Sequence, residues 1–203
     1  TESYGEDPFH VAEMGVQQVL GIQEQRVVST VKHFAVYSVP KGGRDGDART
    51  DPQVSWRDVQ TLFLQPFRRA IVDGGALGVM ASYNDYDGVP VEASELFLTA
   101  ILRREFGFRG YVVSDSGAVE FIHTKHRVAT TPDEGIRQAI EAGLNVRTNF
   151  DPPSAYGEPL RRLVREGRLP LRTIHARVRD VLRAKFWLGL FDHPYRQSPS
   201  EAE

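Results

Sequence analysis

The stretch with the clearest chemical potential is Tyr111-Val112-Val113-Ser114-Asp115-Ser116-Gly117, an apolar run that stops at a carboxylate. Tyr111 to Val113 read as a buried strand, and Ser114 to Gly117 as the turn that ends it. α/β barrels place their chemistry at the C-terminal tips of buried parallel strands. An Asp at such a place can also do no more than cap the next turn. Two further apolar runs end in reactive side chains. Val27 to Val36 carries Lys32 and His33 in its second half, and Ala76 to Ala81 contains Met80 and runs into Ser82-Tyr83-Asn84. If the three strands are parallel, these groups share one rim. A lysine, a histidine, a phenol and a carboxylate around one pocket suit a polyhydroxylated neutral ligand, whose hydroxyls both donate and accept. No glycine-rich phosphate loop follows any of these strands, which argues against a nucleotide. Lys32 at a strand end is also compatible with Schiff-base chemistry. Taken singly, Lys32 reads as a surface lysine, His33 as a hydrogen-bonded core histidine and Tyr83 as a packed aromatic. His123 and His126 have no acidic partner at a metal-ligand spacing, and polar loop contacts are the favoured reading of them.

The elements that must position these groups are legible in outline. Asp7-Pro8 is a helix entry, with Ala12, Val16, Val19 and Leu20 at helical spacing as far as about Glu24. The loop at 40–47 is rich in glycine and charge and predicts a lip around a site. Ser55 and Asp58 resemble a capping box ahead of a helix with an apolar stripe from Val59 to Ile71, which Pro66 is expected to kink and Gly74-Gly75 to end. A further helix is expected from Ser94 to Phe106. Thr131-Pro132-Asp133-Glu134 opens another, which faces Ile136, Ala139 and Ile140 inward. Leu144 to Val146 reads as a fourth short strand. Two last helices are marked by Leu160, Leu163 and Val164, and by Ile174, Val178, Val181, Leu182 and Phe186; the second is expected to pack beside the sheet. Strand and helix thus alternate four times. That predicts an α/β fold with a parallel sheet and right-handed crossovers, a partial (β/α) barrel amounting to half of the eight-unit form. A four-unit open sheet leaves edges exposed. The remaining strands are therefore expected from another segment or from self-association. The barrel part is placed at 1–192, and 193–203 reads as a polar tail or the start of a linker to a second domain.

Composition narrows the class. The chain has 203 residues, 40% hydrophobic and 26% charged, with a net charge of −2 from 25 basic and 27 acidic residues. This suits a globular domain and offers no surface for nucleic acid or membrane. There is no cysteine, so thiol nucleophiles and disulfides are excluded.

Five motifs in order carry a resemblance: Glu2 to Pro8, Lys32-His33-Phe34, Val79 to Asn84, Gly107 to Asp115, and Lys185 to Asp192. Together they resemble the catalytic barrel domain of glycoside hydrolase family 3, which contains β-glucosidases and β-xylosidases. The resemblance implies that Asp115 is the catalytic nucleophile of a retaining reaction. It implies that Lys32 and His33 bond sugar hydroxyls, that Tyr83 stands close to the nucleophile and that Met80 walls the pocket. Arg44 falls in the loop that borders the pocket in similar enzymes. The ligand implied is a β-linked oligosaccharide or aryl glycoside, and no metal or organic cofactor is implied. Three departures stand out. The family's usual acid/base glutamate belongs to a second domain, and Glu92, Glu120, Asp85 and Asp87 do not match it. Ser116 stands where many relatives carry Trp. The first barrel strands, which would supply an Asp and an Arg to the sugar subsite, have no counterpart here. The N-acetylglucosaminidase branch is disfavoured, because the loop after Lys32-His33-Phe34 has no His. A catalytically inactive half-barrel that binds glycan or self-associates is the alternative. The resemblance points to polysaccharide breakdown, often outside the cytoplasm, but leaves glucose against xylose open.

Overall fold

The computed structural model describes residues 3–39 and 50–195. Arg44, the rest of the loop at 40–47 and most of the predicted tail lie outside the described residues. Helix α1, Pro8–Glu24, begins where the Asp7 carboxylate accepts the backbone N–H groups of Phe9 and His10. Its Ala12, Val16 and Val19 are buried. Leu20 is 45% exposed, although it is at helical spacing with them. Strand β1, Thr30–Phe34, follows.

Ser55 caps the next helical segment by accepting the Asp58 N–H, and its hydroxyl donates to the Asp58 carboxylate at 2.8 Å. The segment is not one kinked helix. It comprises α2, Trp56–Asp58, a π-helical turn, Val59–Phe63, and α3, Gln65–Val72, with Pro66 in the first turn of α3. Proline in a first turn gives up no intrahelical hydrogen bond, so the break falls before it. Strand β2, Gly78–Ala81, leads to a small hairpin of β3, Asp85–Tyr86, and β4, Val89–Pro90, which the sequence pattern did not announce. A 3-10 turn, Val91–Ala93, and a π-helix, Leu96–Glu105, return the chain to β5, Tyr111–Val113. The helices α4, Ala118–Thr124, α5, Pro132–Ala142, α6, Ser154–Arg165, and α7, Leu171–Trp187, complete the order.

The strands form a parallel sheet in the order β1-β2-β5. The predicted fourth strand is reduced to one parallel bridge, Val113 to Val146. Close approach sets two glycines in this layer. A Cβ on Gly78 would collide with the Thr30 hydroxyl, and one on Gly110 with the Leu77 carbonyl. The core lies between sheet and helices, where Phe34, Phe97, Leu98, Leu102, Ile122, Leu144 and Leu163 are fully buried. Each such side chain contributes about 1.5–3 kcal/mol of apolar transfer. The stripe on α7 behaves differently from expectation. Val178, Leu182 and Phe186 are exposed, and with Trp187 and Phe191 they line an apolar groove. The helix meets β5 through its opposite side, which carries Arg177, Asp180 and Ala184.

Candidate active site

The sheet brings three side chains that are distant in sequence to one rim. Asp115 follows β5, Tyr83 follows β2 and His33 lies on β1. In-register pairing aligns Met80 with Val113, two residues short of Asp115. The turn that presents Asp115 is stitched to the neighbouring segment. The Ser114 N–H donates to the Val146 carbonyl at 2.8 Å, the Thr148 N–H to the Ser114 hydroxyl at 2.8 Å, and the Gly117 N–H to the Thr148 carbonyl at 2.9 Å. Gly117 has φ +73°, where a side chain would be strained, and from it the chain enters α4.

The Asp115 carboxylate is oriented asymmetrically. Its Oδ1 accepts the Ser116 N–H at 2.7 Å and the Tyr83 hydroxyl at 2.9 Å. That hydroxyl hydrogen is shared with the Ser116 carbonyl at 2.8 Å. The other oxygen, Oδ2, stands 3.3 Å from His33 Nε2, and the side chain keeps 14% of its surface exposed. Oδ1 is thus tied down by two donors, while Oδ2 is left beside His33. Behind the carboxylate runs an aromatic chain: His33 edge-on to Tyr37 at 5.2 Å, Tyr37 to Tyr83 at 6.0 Å, and Tyr83 to Phe121 at 5.6 Å. It fixes the ring planes of His33 and Tyr83.

Lys32 precedes His33 on β1 with an exposed side chain, and Met80 is half-buried on β2. His126 is buried. Its Nε2 lies 3.0 Å from the Tyr83 carbonyl and its Nδ1 3.8 Å from Asp85, so it braces the Tyr83 backbone. His123 Nδ1 meets the Ala129 carbonyl at 2.9 Å. Both histidines are thus engaged in backbone contacts, and among the described residues no group of three or more potential ligands could hold a metal ion.

The sequence reading set Glu92 aside, and the structure places it against the nucleophile candidate. The β3–β4 hairpin carries it there, and its Oε1 accepts the Asp115 N–H at 3.2 Å. Glu92 is 2% exposed, and burial pushes its carboxyl well above the usual range, reinforced by the charges of Asp115 and Glu120. The one available signal was a carboxylate two residues past the apolar Val89-Pro90, too weak to use without the hairpin. Glu120 is held by Arg147 at 2.5 Å.

Comparison with known proteins identifies the family. The family model described as the glycosyl hydrolase family 3 N terminal domain matches residues 1–184. A putative β-xylosidase of Formosa agariphila is 34% identical over 96% of this chain and 26% of its own length. A periplasmic β-glucosidase of Salmonella typhimurium is 30% identical over 100% of this chain and 26% of its own length. Among solved structures, the β-glucosidase from Listeria innocua in complex with glucose superposes with a TM-score of 0.85 at 32% identity, covering 96% of this chain and 27% of that one. The chain therefore spans about a quarter of the length of these relatives.

Proposed function

The chain belongs to glycosyl hydrolase family 3, and from that premise we propose that it carries the nucleophile side of a retaining exo-β-glycosidase site. The observation that carries the reading is the asymmetric setting of Asp115, with Oδ1 tied by Tyr83 and the Ser116 N–H and Oδ2 beside His33. Oδ2 attacks the anomeric carbon as the bond to the leaving oxygen breaks, and a second carboxyl group protonates that oxygen. The same group then takes a proton from water, which displaces the sugar from Asp115. Retention requires the two carboxyls about 5–5.5 Å apart. Glu92 is buried and bonded to the Asp115 backbone and Glu120 is held by Arg147, so the proton donor is assigned to neither. His33 and Lys32 bind hydroxyls of the non-reducing sugar, and Met80 walls the subsite. The substrate class is a terminal β-glucoside or β-xyloside, and by likeness to the periplasmic relative the reaction belongs outside the cytoplasm.

The test is incubation of the complete polypeptide with an activated 2-fluoro-β-glucoside and with its xyloside counterpart, followed by intact mass and peptide mapping. A good leaving group needs little help from an acid, so the trap reads the nucleophile alone. One sugar on Asp115 is the expected result, and the faster probe identifies the sugar. A folded protein that takes no label would favour a half-barrel that binds glycan without turnover.

A further inference from the structure

We propose that Glu92 is a positioning residue for the nucleophile: its buried carboxyl holds the Asp115 backbone N–H and so fixes the turn that presents Asp115 Oδ2. The inference rests on the reading of Asp115 as nucleophile. Glu92 reaches this place by local geometry. The Val91 N–H donates to the Asn84 carbonyl at 3.0 Å, which closes the hairpin, and the Ser94 N–H donates to the Val91 carbonyl at 3.0 Å, which closes the 3-10 turn. The turn packs on α4 and α5, so Glu92 points inward behind the end of β5. Its Oε1 takes the Asp115 N–H, while its Oε2 is buried with no hydrogen-bond partner among the described residues.

Among the described residues no cation compensates Glu92 directly. The groups facing it are the Asp115 carboxylate, Glu120 from α4 and the phenol of Tyr156 from α6. Arg147 is engaged with Glu120 and lies over the Tyr156 ring at 5.6 Å. On α5, Arg137 pairs with both Glu134 and Glu141, and Asp133 pairs with Arg162. Burial and the neighbouring carboxylates favour the neutral form of this carboxyl, in which Oε1 still accepts the Asp115 N–H. A backbone N–H deprived of that acceptor would be buried and unpaired, and the Asp115 turn would relax toward other partners. The residue therefore acts on the reacting atoms only through the backbone of Asp115.

Three variants of the complete polypeptide separate this role from plain packing. Glu92→Gln keeps the size, the neutrality and the carbonyl acceptor. Glu92→Leu keeps the volume and removes the acceptor. Glu92→Asp keeps the acid but withdraws it by one methylene. With the 2-fluoro glycoside, the maximal labelling rate at Asp115 is expected to stay within about twofold for Gln and to fall about tenfold or more for Leu and Asp. The probe concentration at half-maximal rate should barely move. A folded Leu variant that labels at the wild-type rate overturns the proposal; should Leu not fold, Asp labelling at the wild-type rate does so. If the wild-type protein takes no label at Asp115, the catalytic reading has failed, and hydrogen exchange at the Asp115 amide decides the clamp separately. Faster exchange in Glu92→Asp than in Glu92→Gln supports it, and equal exchange rejects it.

Discussion

The two ends of β5 carry polar clusters of opposite composition. At the N-terminal end, three guanidiniums surround one carboxylate. Arg103 lies 3.2 Å from Asp180, and Arg183 lies 3.0 Å from it and also donates to the Arg109 carbonyl. Arg177 is drawn into the same cluster, and Asn145 ties it to the strand. The Asn145 Oδ1 accepts the Val112 N–H and an Arg103 N–H, while its amide donates to the Arg177 carbonyl and to Asp180. Burial pulls Arg103 down to about 10, which leaves it charged at neutral pH. At the C-terminal end, Asp115, Glu92 and Glu120 gather with Arg147 and His33. There the Asp115 side chain stays partly exposed, and one acid, Glu92, is buried without a cation among the described residues. The first cluster gathers its guanidiniums around one carboxylate and Asn145 and holds the strand. The second has more carboxyl groups than cations among the described residues, the kind of imbalance that marks candidate functional sites.

Substitutions at the two ends should therefore separate activity from stability. The largest effect belongs to Asp115→Asn. It should lower turnover of an aryl β-glycoside by roughly 10⁴-fold or more, as loss of a covalent nucleophile does, with the thermal midpoint unchanged or raised. A variant that keeps wild-type turnover would remove Asp115 from the chemistry. Next is Asp180→Ala at the opposite end. It strands the buried Arg103 charge and should cost about 3 kcal/mol, with activity per folded molecule retained. Denaturant unfolding measures it, and a loss below about 1 kcal/mol would mean that solvent reaches Arg103. Tyr83→Phe comes third. It removes one hydrogen bond to a charged oxygen and should slow turnover by about 10- to 100-fold with little change in KM. If KM rises while kcat holds, Tyr83 serves binding rather than the orientation of Asp115.

This contrast also marks what the sequence could and could not show. The alternation of apolar runs and helical stripes carries the parallel sheet, and turn chemistry marks α1, α5 and the end of β5. The rim partners Asp115, His33 and Tyr83 follow from the same alternation, because parallel strands put their C-terminal ends together. The hairpin of β3 and β4 has only two residues per strand, too few for an alternation to register. Glu92 was out of reach for that reason. Its partner lies 23 positions later, and only the hairpin's return brings the two together. Helix α4 was hidden because it opens on Gly117 with no side-chain cap. The stripe on α7 shows the opposite failure. Its period is helical and its apolar face is real, yet Val178, Leu182 and Phe186 face outward, because the side toward β5 is the one that carries the Arg–Asp cluster.

The smallest expected effect is one of sign, and it is read at the C-terminal end of β5 as a dependence on pH. Glu92 titrates above its ordinary value of 4.5 in the folded protein, first through burial and then through the charges of Asp115 and Glu120. The folded chain therefore holds a proton that the unfolded chain releases between those two values. Stability contributed by that proton is complete below the unfolded value and is lost as pH rises toward and through the folded one. Glutamine cannot release a proton. Glu92→Gln should thus match the wild-type thermal midpoint in mild acid and exceed it progressively toward neutral pH. A midpoint difference for Glu92→Gln that is flat with pH, or largest in acid, would mean that Glu92 is ionised in the fold. The C-terminal end of β5 would then need a counter-charge that its described residues do not supply.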